Sequence, residues 1–334
     1  MNVAVLHGDV PADASRDEQD VLVQVAAVSR VLRELGYNPV AVPLSLDLEA
    51  AADTLQRLRP GFVFNLVETV HGRGQYIHLG PTLLDGLRLP YTGATTASML
   101  ITSNKLLTKK WLTMACLSTP PWLPAEEVLR RELPFPGPYI VKSVWEHGSI
   151  GLDDSAVMSD PALLKSSLAQ RQHAPAAPWF VERYIPGREF NLALLAGPEG
   201  PELLPPAEIE FKEYPAGKVH IVGYHAKWHE DSFEYQHTFR RFDFPPQDTT
   251  MLERLAELAT SCWQLFELRG YARVDVRIDA DGEPWILEVN ANPCVAPDSG
   301  FMATAQHAGL KETDVMQRII ADACPALTMG RTLW

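Results

Sequence analysis

Two stretches near the end of the chain decide the fold: residues 273–279 read RVDVRID, and residues 285–293 read WILEVNANP. Both alternate polar and apolar side chains, which is typical of β-strands with one buried face. Between them lies DADG at 279–282, a sequence that favours a tight turn. The pattern therefore predicts a β-hairpin with one apolar face and one face that carries charged groups.

The charged groups of this hairpin predict a metal site. Asp275 can face Glu288 across the hairpin, and Asn290 lies on the same side because alternate side chains share a face. Two carboxylates and an amide oxygen without nearby thiols suit Mg²⁺ or Mn²⁺ together with nucleotide phosphates. Arg273 projects to the same side, where a cation can stabilise charge that develops during transfer. The alternative is a solvated acidic edge, but carboxylates beside a buried face need a cation or hydrogen-bond partners.

The pattern R-x-D followed by L-E-x-N-x-x-P resembles the C-terminal metal-binding signature of ATP-grasp ligases, and it is most similar to that of the D-alanine–D-alanine ligase family. Other segments resemble the family in the same order: YTGA at 91–94, NKLLTK at 104–109, YIVK at 139–142, ERYIPGREF at 182–190 and YHAKW at 224–228. The resemblance covers nearly the whole chain, and colinear motifs are more specific than any one of them alone.

The resemblance and the order of the elements together predict an α/β (α+β) chain with a three-domain ATP-grasp fold. Residues 1–98 alternate strands and helices, which predicts a small, Rossmann-like parallel sheet with helices on both faces. By resemblance, residues 99–190 form a central ATP-grasp subdomain with a glycine-loop flap. Residues 191–334 form a C-terminal ATP-grasp subdomain with the metal site. A chain of 334 residues exceeds what one compact core usually holds, in agreement with several domains.

The resemblance also implies which residues serve the reaction. The residues matched to phosphate contacts are Lys105, Lys142, Ser149 and Lys227. The residues matched to adenine and ribose contacts are Glu182, Arg183, Tyr184, Ile185, Glu189 and Leu287. Arg273 is matched to the side chain that steadies the tetrahedral oxyanion, Lys227 to the lysine that reaches the transferring phosphate, and Ser299 to the serine that holds the carboxylate of the second substrate.

The residues themselves leave alternatives for three of these assignments. Lys142 emerges from an apolar strand, where a lysine needs an anionic partner or extends to water. Glu189 can hold sugar hydroxyls or form an ion pair with Arg188 or Arg183. The glycine loop at 146–151 lets backbone N–H groups approach a phosphate, but such a short loop alone mostly marks an ordinary turn.

The amino-acid half of the site departs from the family pattern. Gly148 stands where a serine is expected, Trp228 where a tyrosine is expected, and Cys294 where a glycine is expected. An N-terminal glutamate usually belongs to the same polar network, and Glu18 is the nearest candidate. Losing two hydroxyls and adding an indole removes groups that select a small substrate. We interpret Cys294 as a small packing residue rather than a nucleophile.

Composition argues against several classes of function. The net charge is −13 with no basic block, which disfavours nucleic-acid binding because phosphate contacts need clustered Lys and Arg. No apolar run approaches the ~18 residues of a membrane span, and the first residues lack a basic secretory leader. The four cysteines have no C-x-x-C spacing and are typical of reduced thiols in a cytoplasmic protein. The family often forms dimers, and the sequence leaves a homodimer open.

The sequence therefore predicts a cytoplasmic carboxylate–amine ligase that uses ATP, Mg²⁺ or Mn²⁺, and small amino acid or carboxylate substrates. By resemblance, ATP phosphorylates a carboxylate to an acyl phosphate, and an amine then displaces the phosphate to form an amide. The departures from the family pattern in the part of the site that binds the amino acid predict a substrate other than D-alanine. The alternative is a degenerate nucleotide-binding protein that no longer ligates, which the complete set of lysines and metal ligands disfavours.

Overall fold

The computed structural model of the protein describes residues 1–11, 13–171 and 178–325, and within these ranges the strands form three sheets. The first sheet is parallel, in the order β2–β1–β3. The N-terminal elements are β1 (Asn2–Gly8), α1 (Arg16–Glu34), β2 (Asn38–Leu44), α2 (Leu48–Leu58), β3 (Phe62–Asn65) and α3 (Leu79–Leu87). The predicted small parallel sheet at the N-terminus is confirmed.

Helices cover both faces of this sheet, as predicted. Val5 of β1 packs with α1 in one apolar cluster, whereas Leu6 packs with α2 and α3 in another. Burial on both sides explains why β1 is a continuous apolar run. β1 ends at Gly8, where a Cβ atom would lie 2.2 Å from the carbonyl oxygen of Thr69. A glycine is therefore needed for the end of β1 to approach the loop after β3.

The central sheet is antiparallel, in the order β4–β7–β5–β6. The elements of this region are α4 (Thr96–Ser103), α5 (Lys105–Met114), β4 (Trp122–Pro124), α6 (Ala125–Arg130), β5 (Tyr139–Ser143), β6 (Val157–Met158), α7 (Pro161–Arg171) and β7 (Trp179–Arg183). Val141 and Val181 pack against α6 and α7 on one face. Strand alternation then puts Lys142 and Glu182 on the opposite face.

The C-terminal sheet is antiparallel, in the order β11–β10–β8–β12–β13, with β9 paired to β8. Its strands and helices are β8 (Arg188–Gly197), β9 (Gly200–Leu203), β10 (Ala207–Phe211), α8 (Tyr224–Trp228), α9 (Phe233–Gln236), β11 (Thr238–Arg241), α10 (Thr249–Leu265), β12 (Tyr271–Ile278), β13 (Pro284–Asn290), α11 (Gly300–His307) and α12 (Glu312–Ala323). α10 covers the apolar face of β8, β12 and β13. The other face of these strands carries the charged residues of the hairpin.

The N-terminal and C-terminal sheets share one apolar core. Phe301 of α11 and Ile319 of α12 belong to the cluster that also contains Val5 of β1 and Tyr271 of β12. This packing holds the loops after β1 and β3 close to the charged face of the hairpin. The division of the chain into three domains stays a prediction, and its boundary after residue 190 falls within β8. Residues 326–334 of the third predicted domain lie outside the described residues.

Two structural features bear on the expectations from composition. All four cysteines are free thiols, of which Cys116 is exposed, Cys262 and Cys324 are buried, and Cys294 is half-buried. No helix in the three described ranges is both long and apolar enough to cross a membrane.

Candidate active site

The predicted hairpin is formed by β12 and β13 with the predicted register. Asp275 lies directly opposite Glu288, and Arg273 lies opposite Asn290. At the turn, Gly282 adopts a φ of 79°, a left-handed conformation that favours glycine. The two carboxylates of the predicted metal site are therefore neighbours across the strands.

A β-bulge places Leu287 outside the regular pairing of this hairpin. The register shifts between the Asp275–Glu288 pair and the next pair, which contains Ile286. Ile286 and Val289 are fully buried against α10, whereas Leu287 and Glu288 between them are half-buried. In a regular strand, where alternate residues share a face, one of these two side chains would be buried. The extra residue of the bulge keeps both of them off the buried face. The site face thus carries an apolar side chain beside a carboxylate.

Asp275 is held by two protein groups. Arg273 donates from Nε to Oδ1 at 2.7 Å and from Nη2 to Oδ2 at 2.8 Å. Asn191 of the neighbouring strand β8 donates from Nδ2 to Oδ1 at 2.8 Å. Burial alone lowers the pKa of Arg273, but the charge of Asp275 outweighs burial and raises it. The two-point ion pair therefore holds the guanidinium of Arg273 in its charged form.

Glu288 is contacted by two other segments of the chain. Nδ1 of His147 lies 2.8 Å from Oε1, and Nζ of Lys105 lies 4.0 Å from Oε2. Burial opposes ionisation of Glu288, but Lys105 and His147 outweigh it and hold the pKa well below its usual range. Burial lowers the pKa of His147, so the neutral ring donates from Nδ1 to the carboxylate. The other ring nitrogen, Nε2, is buried and has no hydrogen-bond partner among the described residues.

Two lysines of the site carry charges that burial disfavours. Lys105 donates from Nζ to the carbonyl of Glu146 at 2.7 Å, and burial lowers its pKa. Lys227 lies on α8, where burial and the nearby charge of Arg273 lower its pKa. An anionic ligand between these side chains would favour their charged forms. The arrangement therefore suits a polyphosphate.

Glu182 joins two lysines in a buried ion-pair network. Nζ of Lys109 lies 2.5 Å from Oε2, and Nζ of Lys142 lies 2.6 Å from Oε1. The side chains of Glu182 and Lys109 are each only 1% exposed. Burial opposes ionisation of Glu182, but the two lysines outweigh it and lower its pKa. Lys142 therefore has the anionic partner that its position on an apolar strand requires.

Glu189 is paired with Arg277, a residue that the sequence did not single out. Arg277 donates from Nε and Nη2 to Oε2 of Glu189 at 2.9 and 2.7 Å, and from Nη1 to the carbonyl of Ile185 at 2.8 Å. Its guanidinium carbon lies 4.9 Å from the ring centroid of Tyr184. Arg188, one of the two partners considered for Glu189, instead binds carboxylates of β10 and of the segment before α10. Arg277 thus ties the segment 182–185 to the charged face of β12.

The glycine loop is closed onto the segment before α8. Ser149 donates from Oγ to the carbonyl of Val222 at 2.6 Å. Gly148, Ser149 and Gly151 have φ values of 69°, 66° and 74°. In this left-handed region the two glycines are unstrained, whereas Ser149 is held there by its surroundings. The loop is therefore a specific turn rather than an extended strand connection.

The two residues that depart most from the family pattern contact each other. The indole Nε1 of Trp228 donates to the carbonyl of Gly148 at 3.0 Å. A Cβ on Gly148 would lie 3.8 Å from the indole, so a serine would fit in space but would be strained by the positive φ. Glu18 caps α1, where its carboxylate accepts from the backbone and hydroxyl of Ser15 at 2.9 and 2.8 Å.

Cys294 and Ser299 have structural partners. Cys294 donates from Sγ to a carboxylate oxygen of Asp20 at 3.2 Å. Burial, with the nearby charge of Glu68, raises the pKa of the Cys294 thiol well above its usual value. The thiol is therefore a neutral donor, in agreement with a packing role. Ser299 is the N-cap of α11, with Oγ accepting from the backbone of Met302 at 3.2 Å.

A cleft adjoins these groups between the end of β1, the start of α1, the glycine loop and α8. Its lining includes Glu18, Glu68, His147 and Trp228. Glu68 accepts from Nε2 of Gln24 at 2.7 Å. Burial is the main cause that raises the pKa of Glu68 to about 7. The part of the site predicted to bind phosphate and the part predicted to bind the amino acid therefore adjoin each other at the glycine loop.

Among the charged or polar residues that the structure adds to the predicted site are Lys109, Arg277 and His147, and the first two had a signal in the sequence. Lys109 lies four residues after Lys105, a spacing that puts both on one helix face. Arg277 lies two residues after Asp275 and so shares its face of the strand. For His147, the sequence offered only its place in the glycine loop.

Comparisons with known proteins agree with the predicted fold and family. Residues 122–321 match the family model described as D-ala D-ala ligase C-terminus. The chain is 27% identical to a D-alanine–D-alanine ligase of Synechococcus sp. (strain JA-3-3Ab), over 99% of this chain and 96% of that protein. It is 28% identical to the uncharacterized protein y4sG of Sinorhizobium fredii, over 80% of this chain and 78% of that protein.

A solved structure of D-alanine–D-alanine ligase from Bacillus anthracis, complexed with ATP, superposes with a TM-score of 0.73 at 20% sequence identity. The alignment covers 98% of this chain and 99% of that one. This likeness confirms the predicted α/β ATP-grasp architecture. Because the family model matches well over half of the chain, this protein belongs to the D-alanine–D-alanine ligase family of ATP-grasp ligases.

Proposed function

We propose that this protein is an ATP-dependent ligase that joins a small carboxylic acid to an amine through an acyl phosphate. The observation that carries the proposal is the facing pair of carboxylates, Asp275 and Glu288, with Lys105, Lys227 and Arg273 close by. Such a set balances the negative charge of a transferring phosphate and its metal ion. Membership of the ligase family and likeness to a structure that holds ATP support the same reaction.

The nucleotide would lie between the central and C-terminal sheets. Both bonds from Arg277 go to Oε2 of Glu189, so Oε1 remains to accept from ribose hydroxyls. Because the carboxylate of Glu182 is held by two lysines, backbone groups at 183–185 are better placed to read adenine. Leu287, displaced onto the site face by the bulge, would pack against the ring.

The residues present fit a divalent cation. Asp275, Glu288 and Asn290 offer only oxygen ligands, which Mg²⁺ and Mn²⁺ prefer. Protein cations neutralise both carboxylates in the structure, so the metal ion would bind together with nucleotide rather than before it. When bound, the ion would supply positive charge that screens the phosphates.

The chemistry has two displacements. An oxygen of the substrate carboxylate attacks the γ-phosphorus, the bond from phosphorus to ADP breaks, and an acyl phosphate forms. The amine then attacks the acyl carbon, a C–N bond forms, and phosphate leaves with its oxygen from the acid. Lys105 and Lys227 would neutralise phosphate charge, Arg273 the oxyanion on the acyl carbon, and Ser299 would hold the carboxylate of the amine substrate.

Mg-ATP is expected to raise the melting temperature of the protein because it binds only the folded state. At a concentration about 100 times Kd, the stabilisation is about 2.7 kcal/mol. Glu189→Gln should lose most of this shift, since a ribose clamp loses its charge. The matched control is Glu202→Gln, which removes an exposed ion-pair partner on β9. No shift in the wild type by scanning fluorimetry, or a full shift in Glu189→Gln, would contradict the assignment.

D-alanine is expected to be a poor substrate, because Gly148 and Trp228 lack the two hydroxyls that would hold it. With D-alanine as the sole amino acid, ADP formation should be at least about 100-fold slower than with the best acid in a screen. The double variant Gly148→Ser, Trp228→Tyr should narrow that difference. Efficient D-alanyl-D-alanine synthesis by the wild-type protein would show that the two substitutions carry no specificity.

The same screen separates the proposed ligase from the alternative. Phosphate release with ATP and Mg²⁺, dependent on an added amino acid or small acid, supports the ligase. ATP binding without phosphate release for every acid would favour a degenerate nucleotide-binding protein. That the protein acts in the cytoplasm stays a prediction of the sequence, and a homodimer stays open.

A further inference from the structure

The cleft beside the glycine loop is lined by acidic side chains. Its lining includes the carboxylates of Asp9, Glu18, Glu68 and Glu146, and none of the described residues that line it is Lys or Arg. The segments are closely packed here: a Cβ on Gly72 would lie 2.8 Å from Oε1 of Glu18. This is a concave surface next to the reacting centre and not an exposed acidic rim.

The cleft has a defined orientation relative to the reacting groups. Lys227 and Arg273 are close enough to lower the pKa of Glu68, which burial raises to about 7. The side of the site that carries Lys227 and Arg273 therefore adjoins the cleft near Glu68. An acid bound there would direct its reacting carboxylate toward Lys227 and Arg273, and the rest of the molecule toward the lining carboxylates.

Two further features indicate a polar, cationic occupant. The indole of Trp228 forms one wall, and an aromatic face attracts a cation by about 0.5–2 kcal/mol. Nε2 of His147, which also lines the cleft, is buried and has no hydrogen-bond partner among the residues that the structure describes. A buried nitrogen of this kind needs a partner from a ligand or water.

We infer that the acid activated in this cleft is a basic amino acid, with a second cationic group on its side chain. This inference rests on the proposed ligase function and names its substrate class. One ammonium group, present in any amino acid, balances only one of the lining carboxylates. An ammonium or guanidinium on the side chain balances a second and lies beside Trp228.

Matched pairs of acids test the inference directly. Lysine and norleucine differ by a terminal ammonium, and arginine and citrulline differ by a guanidinium in place of a urea. Each is supplied in both enantiomers with ATP, Mg²⁺ and hydroxylamine. Hydroxylamine attacks the acyl phosphate, forms a C–N bond and expels phosphate, so the hydroxamate reports activation of the acid without a known amine substrate.

The expected result is that a basic acid is activated at least about tenfold better than its neutral counterpart, in kcat/KM. Asp9→Asn and Glu18→Gln should bring this ratio toward one, mainly by raising KM for the basic acid. Glutamine at position 18 can still cap α1. Glu49→Gln, an exposed acid on α2, is the control that should leave the ratio unchanged.

Three outcomes would overturn the inference. Equal or better activation of norleucine and citrulline would refute it and leave the ligase function standing. A preference for basic acids that persists in Asp9→Asn and Glu18→Gln would show that the cleft does not recognise the second charge. No hydroxamate with any acid, in a protein that still binds Mg-ATP, would overturn the ligase function and the inference together.

Discussion

Replacing Glu288 by Gln is expected to reduce ADP formation by at least about 10²–10³-fold, because the site loses a charged group that acts where phosphate charge is transferred. Glu288 faces Asp275 across the hairpin and is ionised at neutral pH, since Lys105 and His147 hold its pKa low. Glutamine keeps the size of the side chain and an oxygen that accepts from His147. The variant should therefore stay folded, as judged by circular dichroism, while the rate of ADP formation in a coupled assay collapses.

The control for this variant lies on the same hairpin. Glu283→Gln removes a carboxylate that forms an exposed ion pair with Arg254 next to the turn. Exposed pairs of this kind contribute about 0–1 kcal/mol, so both turnover and stability should hardly change. Unchanged turnover in Glu288→Gln would refute the metal assignment, and so would an equal loss in Glu283→Gln.

Replacing Glu182 by Gln is expected to lower the free energy of unfolding by about 3–5 kcal/mol. The variant leaves the ammonium groups of Lys109 and Lys142 buried without their anionic partner. Lys109 keeps its hydrogen bond to Oγ1 of Thr119, at 2.7 Å, which does not replace the lost charge. Urea unfolding at pH 7 measures the loss. The matched control is Glu127→Gln, which breaks an exposed pair with Arg131 on α6 and should cost about 0–1 kcal/mol.

The difference between wild type and Glu182→Gln should also depend on pH. The folded pKa of Glu182 is lowered, so its stabilisation is fully present above the unfolded pKa of about 4.3. It is lost as the pH falls through the folded pKa, where the wild-type carboxyl becomes neutral. The two unfolding curves should therefore converge in acid. A constant difference from pH 7 to acid would show that the loss comes from packing and not from charge.

The hairpin shows what could be predicted from the sequence. Alternation and turn chemistry are local, so they were enough to pair Asp275 with Glu288. The bulge at Leu287 was not predicted, and the match of Leu287 to an adenine contact stays a prediction. Its position depends on burying both Ile286 and Val289 against α10, a tertiary constraint that overrides strict alternation.

The ion pairs of the site could not be predicted because they join distant segments. Arg277 meets Glu189 only because β12 lies beside β8 in the sheet. Lys109 looks like a solvated helix residue until β7 brings Glu182 against it. Both partners are far apart in the chain, and no local pattern distinguishes them from surface charges.

The contact between His147 and Glu288 also joins two distant segments of the chain, so it could not be predicted either. It requires the glycine loop of the central sheet to close over the C-terminal hairpin. The two substitutions Gly148 and Trp228 were visible as single departures, but their hydrogen bond was not. The acidic character of the cleft was likewise hidden, because its lining residues come from five separate segments.

The central claim, ligation through an acyl phosphate, is tested most directly by following oxygen. The acid that best supports ADP formation is prepared with both carboxylate oxygens as ¹⁸O, and the released phosphate is analysed by mass spectrometry. The account predicts one ¹⁸O in each phosphate, because the oxygen that attacked phosphorus leaves with it. Unlabelled phosphate released together with ADP would mean that water cleaves ATP directly, and it would contradict the account.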